Sequence, residues 1–117
     1  MKRLLVIVWL LAALPSFGAT YYVNPTGSGS TCSSGTPCSL TTGVTNATSP
    51  GDIVYLQDGT YNSSITVPAS GSAGGGYISY LAVNDGAAIV DGQDVRVPFT
   101  LDTKSYINVE GINFRYS

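Results

Sequence analysis

Histidine is absent from the chain. That removes the side chain whose charge changes near neutral pH and the commonest neutral metal ligand. It also excludes Ser–His and Cys–His nucleophile pairs within these residues. Charge is scarce too, with five Lys and Arg and seven Asp and Glu among 117 residues. So few cations give no electrostatic footprint for nucleic acid or for an anionic membrane. No long apolar run is present either. The uncharged stretch Leu4 to Leu14 falls well short of the ~20 residues that span a bilayer.

That short run has a clear context. Met1-Lys2-Arg3 is a basic start, Leu4 to Leu14 is apolar, and Pro15-Ser16-Phe17-Gly18-Ala19 ends in small residues. The three parts have the order of a secretory signal peptide, here 1–19. Small residues at Ser16 and Gly18 fit cleavage before Ala19, and cleavage after Ala19 fits nearly as well. A short buried helix would leave the basic start unexplained. No Cys follows the run to take a lipid anchor. The expectation is a secreted, extracellular chain with no membrane attachment once the leader is removed. Arg96, Lys104 and Arg115 then face all seven carboxylates, a net charge of −4.

The two cysteines are Cys32 and Cys38. In an oxidising compartment a disulfide is the default pairing. The spacing is not C-x-x-C and no third ligand is near, which argues against a redox or metal role. The bridge would pin the Gly/Ser/Thr-rich stretch from Thr26 to Pro37, which has little apolar material of its own.

Beyond it, Leu40, Val44 and Ala47 fall on one face of a short helix within Ser39–Thr48, although Gly43 and its Thr neighbours are weak helix formers. The rest is strand-like. Tyr21 to Val23 forms a first strand. Further short strands centre on Val54 and Leu56, Ile65 and Val67, Ile78 to Ala82, Ile89, Phe99 and Leu101, Ile107 and Val109, and Ile112 and Phe114. Turns at Pro50-Gly51-Asp52, Asp58-Gly59, Asn84-Asp85-Gly86, Asp91-Gly92 and Gly111 separate them. Val54 to Ile78 and Ile65 to Ile89 are each 24 positions apart, and Ile89 to Ile112 is 23. A period of that length with several strands in it is a solenoid signature. The period slips between Phe99 and Ile107, which calls for an insertion there or a different register. The competing arrangement is a small antiparallel sandwich.

Pro50-Gly51-Asp52-Ile53-Val54-Tyr55-Leu56-Gln57-Asp58-Gly59-Thr60-Tyr61 resembles the first-coil motif of right-handed parallel β-helix proteins of the pectin-lyase-like superfamily. Tyr21 to Ser30 resembles their lead-in. Ile89-Val90-Asp91-Gly92 looks like the end of a second coil, and Tyr106 to Phe114 like the start of a third. The resemblance implies an all-β, right-handed parallel β-helix solenoid of two to three coils. It would carry a short N-terminal helical cap, a part open to Leu40, Val44 and Ala47. It divides the chain into the leader 1–19, a lead-in, disulfide loop and cap over 20–49, and coils over 50–117. Val54 and Leu56 would point inward, and Tyr55 and Gln57 outward.

Many proteins of this kind are polysaccharide lyases or hydrolases acting on pectate, alginate or related acidic glycans, and others are adhesive or binding proteins. Lyase types use a Lys or Arg base, often with Ca²⁺ held by carboxylates. Asp91, Asp94 and Asp102 are the only carboxylates here grouped closely enough in sequence to suggest a hard-cation site, with Arg96 and Lys104 nearby. The alternative is that Asp91 marks a turn and the others are solvated loop charges. No residue matches a catalytic motif, so the catalytic residues are unknown, and Ca²⁺ is expected only of a full-length protein. Tyr55, Tyr77, Tyr80 and Tyr106 are candidates either for stacking on sugar or for filling and edging the coil. Asn46-Ala47-Thr48 and Asn62-Ser63-Ser64 are glycosylation sequons, relevant only in a host that uses them.

A solenoid needs about three repeats and a cap at each end. The residues suggest a little over two coils and end directly after a strand, so the expectation is an N-terminal portion, truncated and inactive alone. Its reading is a secreted carbohydrate-active β-helix protein of polysaccharide-lyase type, partnered by a glycan. The alternatives are a non-enzymatic adhesive or glycan-binding β-helix and a small complete binding domain held by Cys32–Cys38.

Overall fold

The computed structural model describes residues 18–116. The expected leader therefore lies, but for its last two positions, outside the described residues. β1 (Thr20–Val23) is followed by α1 (Leu40–Asn46), β2 (Ile53–Leu56), β3 (Gly59–Tyr61) and β4 (Ile65–Thr66). Then come β5 (Ile78–Ala82), β6 (Ala88–Asp91), β7 (Phe99–Thr100), β8 (Ile107–Glu110) and β9 (Ile112–Arg115). The strands form three sheets, ordered β1-β2-β5-β8, β3-β6-β9 and β4-β7. Every pairing between them is parallel. One coil comprises β2, β3 and β4, the next β5, β6 and β7, and a third β8 and β9. The chain is a parallel β-solenoid, and the antiparallel sandwich is excluded. Parallel neighbours need a long crossover, and here each crossover is the remainder of one coil.

Alternation decides which side chains fill the coil. Val54 and Leu56 are fully buried while Ile53 and Tyr55 between them are only partly so. Ile78 and Tyr80 repeat the pattern in β5, and Ala88 and Val90 in β6. Register then stacks these residues into columns. Tyr21, Val54, Tyr80 and Val109 form one, and Tyr61, Val90 and Phe114 another. Phe99 lies over Ile65 and meets the Phe114 ring at 5.4 Å and the Tyr80 ring at 6.4 Å.

The 24-residue period does not survive. Val54 pairs with Tyr80 rather than Ile78, and Ile65 with Phe99 rather than Ile89. Ile89 sits on the outer face, opposite Asn113. The cause is unequal corners. Positions 57–58 join β2 to β3 and 62–64 join β3 to β4, whereas 83–87 join β5 to β6 and 92–98 join β6 to β7, so the offset grows from 26 at Val54–Tyr80 to 29 at Tyr61–Val90 and 34 at Ile65–Phe99. Stacking fixes where strands lie and leaves corner loops free to lengthen at small entropic cost, so one fixed offset cannot serve all three sheets.

The first coil is closed by α1. Ser39 caps it, its side chain accepting from the Thr42 N–H at 3.3 Å. Leu40, Val44 and Ala47 turn their apolar face inward, as the sequence predicts. Gly43, unfavourable by propensity, has a packing reason. A Cβ there would collide with Val23 Cγ1, so glycine lets the helix lie directly on β1.

The outer edge of β1 is covered as well. Cys32 and Cys38 are bonded, with Cα atoms 4.6 Å apart. The Tyr22 N–H donates to Cys32 O at 2.7 Å, and the Cys38 N–H to Tyr22 O at 3.1 Å. The disulfide loop thus pairs with an edge that would otherwise be an open template for aggregation.

Two outcomes are expected in urea unfolding. Replacing Cys32 and Cys38 by Ser should cost about 2 kcal/mol, the loop-closure value for so short a separation. Gly43→Ala should destabilise even though propensity alone would credit it with ~1 kcal/mol, because overpacking against Val23 costs typically ~1–3 kcal/mol.

Candidate functional site

The outer face of the β1-β2-β5-β8 sheet carries a row set by register, in which Tyr22 faces Tyr55, Tyr55 faces Leu81 and Leu81 faces Glu110. The Tyr22 and Tyr55 rings are stacked, 5.2 Å apart and inclined by 19°, close to the ~4.8 Å strand spacing. Tyr22 therefore takes one face of Tyr55. On the other side lies an open groove of about 260 Å³, lined by Tyr55, Leu81, Val83, Asp85 and Glu110 with the backbone of Gly111.

The groove wall is built by the turns that end β2, β5 and β8. The Asn84 amide donates to both Asp58 carboxylate oxygens, at 2.9 and 3.1 Å, tying one coil's turn to the next. The Asp85 carboxylate lies so close to Gly111 that a Cβ there would meet Oδ1 at 2.8 Å, and Gly111 adopts φ 74°. Glu110 Oε2 accepts from Asn108 Nδ2 at 3.1 Å. The result is an apolar floor with two carboxylates at one end, able to accept hydrogen bonds from a hydroxyl-rich ligand.

Of the four tyrosines singled out by sequence, only Tyr55 belongs to this row. Tyr80 is fully buried and fills the coil. Tyr77 and Tyr106 form a separate edge-to-face pair with ring centres 5.6 Å apart, at the other end of the sheet. Tyr22, Asp85 and Glu110 escaped the sequence reading. Tyr22 is marked only by the in–out alternation of Tyr21-Tyr22-Val23, and Asp85 reads as an ordinary turn residue.

Asp91 Oδ1 accepts from the Gln93 N–H at 2.8 Å, a local turn. Asp94 and Asp102 lie in loops, both with left-handed backbone. Among the described residues no group of three or more His, Cys, Asp or Glu side chains is placed to hold a metal ion. Arg96 Nη1 donates to Gln93 Oε1 at 3.3 Å, and Lys104 Nζ to Asp102 O at 3.3 Å. Neither is placed as a base beside a carboxylate cluster.

Two buried phenols are perturbed instead. The Tyr61 hydroxyl lies within hydrogen-bond reach of Gln57 O at 2.6 Å and Val23 O at 3.0 Å. Burial, and then the negative charge of Asp58, push its ionisation above the ordinary range. The Tyr80 hydroxyl has no hydrogen-bond partner among the described residues. Its pKa is pushed up to about 12, first by burial and then by the charge of Asp52.

Set against known proteins, the chain matches no family model, no curated protein and no solved structure.

The raised Tyr80 pKa carries a pH consequence. Folded and unfolded states both hold the proton below about pH 10, the ordinary tyrosine value. As pH rises from there through about 12 the unfolded state loses it first, so stability falls. Tyr80→Phe should make that alkaline loss shallower in thermal melts. At neutral pH it should leave stability unchanged or raise it by up to ~1 kcal/mol, since the lost hydroxyl is unpaired.

Proposed function

We propose that these coils are the glycan-binding portion of a secreted β-helix protein of the pectin-lyase-like kind, with sugar held in the groove beside Tyr55. The carrying observation is the row Tyr22-Tyr55-Leu81 running into Asp85 and Glu110. An aromatic and aliphatic floor suits the C–H face of a sugar, and the carboxylates suit its hydroxyls. The leader pattern of 1–19 and the Cys32–Cys38 bridge support secretion.

Charge bears on the substrate class. Asp85 and Glu110 oppose a polyanion at close range, so this groove favours a neutral glycan over pectate or alginate. That observation favours the non-enzymatic binding or adhesive reading for these coils. The polysaccharide-lyase reading rests on the resemblance of the Pro50–Tyr61 motif and the solenoid fold. It requires a cationic base on residues other than these.

Calorimetric titration with neutral and uronic-acid oligosaccharides separates the two. Neutral oligosaccharides should bind, and Tyr55→Ala should weaken them about fivefold, corresponding to the ~1 kcal/mol of an aromatic face contact. Asp85→Asn with Glu110→Gln should improve uronic-acid binding. If Tyr55→Ala leaves every affinity unchanged, the groove is not the glycan site.

A further inference from the structure

Asp52 is the one buried charged residue among those described, 3% exposed. Its Oδ1 accepts from the Ala19 backbone N–H at 2.7 Å and its Oδ2 from the Ser49 N–H at 3.0 Å. A buried carboxylate is costly unless paired with a cation or fully hydrogen-bonded. The three cationic side chains of the described residues lie elsewhere. Arg96 and Lys104 are engaged in their own loops, and Arg115 ends β9 on the third coil.

The Ala19 nitrogen occupies the place where a cation would sit. Before it, Gly18 is pressed against the Gly51–Asp52 backbone so closely that a Cβ would overlap it. A hollow of about 410 Å³ opens here, lined by Gly18, Ala19, Tyr21, Pro50, Asp52 and Gly75 among others. After it, the Ala19 carbonyl accepts from the Ile53 N–H at 2.9 Å, the first rung joining the lead-in to β2.

We propose that the leader is cut between Gly18 and Ala19, and that the α-ammonium group so created is the cationic partner of Asp52. The proposal rests on the reading of 1–18 as a removed leader. A leader peptidase adds water across the Gly18–Ala19 amide. The Gly18 carbonyl carbon leaves as the carboxylate of the released peptide, and the Ala19 nitrogen takes up the protons to become –NH₃⁺. A neutral N–H···O bond then becomes a charge-assisted one, the stronger class. Cutting after Ala19 would discard both the nitrogen that Asp52 holds and the carbonyl that Ile53 uses. The structure thus separates two cleavage sites between which small-residue spacing alone decides only narrowly.

The full chain is secreted from a host with a leader peptidase, and the product is weighed intact. A mass beginning at Ala19 is expected. A mass beginning at Thr20 overturns the assignment, and an uncut chain overturns the leader reading beneath it. The purified product and its Asp52→Asn variant are then acetylated at their amines. Lys104 reacts in both, so it cancels in the comparison. Acetylation should lower Tm by about 4 °C or more in the parent and by less than half of that in the variant. Equal losses overturn the pairing. Should Asp52→Asn fail to fold, the parent alone decides. On acetylation the Asp52 side-chain carboxyl ¹³C resonance should move while that of Asp91 stays, and an unmoved Asp52 resonance overturns the pairing.

Discussion

Coil-on-coil parallel pairing is the constraint from which the other features follow. In the middle coil, β5 and β6 have their backbone groups satisfied by the coil before and the coil after, so the side chains of successive coils must line up. Inward positions become columns, which is why Tyr80 stands over Val54 and Phe114 over Val90. Outward positions become rows by the same rule, and the row from Tyr22 to Glu110 is a direct consequence. Core and candidate site are two faces of a single register.

A stack of coils has two ends, and the structure treats the first with care. α1 covers the apolar opening of the first coil, and the Cys32–Cys38 loop takes up the backbone of β1. Asp52 then ties the turn at Ser49 to the start of the lead-in. Its charge reaches inward as well, to the unpaired hydroxyl of Tyr80. Helix, disulfide and buried carboxylate together turn a loose, Gly- and Ser-rich opening segment into a fixed platform for the first ladder.

Much of this was legible in the residues. Leu40, Val44 and Ala47 at helical spacing announced the cap, two cysteines in a polar loop announced the bridge, and alternation at Val54 and Leu56 announced the inner face. The register was not legible. Coil length varies at the corners: the longer join at 83–87 sets Ile89 outward over Thr60, and that at 92–98 adds to it and places Phe99 on Ile65. The near-equal spacing of Val54–Ile78, Ile65–Ile89 and Ile89–Ile112 was a coincidence of loop lengths. The groove was hidden for a related reason. Tyr55, Asp85 and Glu110 are remote in sequence and meet only once the register is known. Asp91, Asp94 and Asp102, close in sequence, do not come together as a group of three among the described residues; Asp91 caps a local turn, and the backbones of the other two are left-handed.

The register is therefore the claim on which the account stands, and nuclear Overhauser contacts in the folded protein test it most directly. The account predicts parallel cross-strand contacts from Val54 to Tyr80 and from Tyr80 to Val109, with Phe99 close to Ile65. Contacts running from Val54 to Ile78 and from Ile65 to Ile89, or antiparallel contacts between neighbouring strands such as β2 and β3, would contradict it.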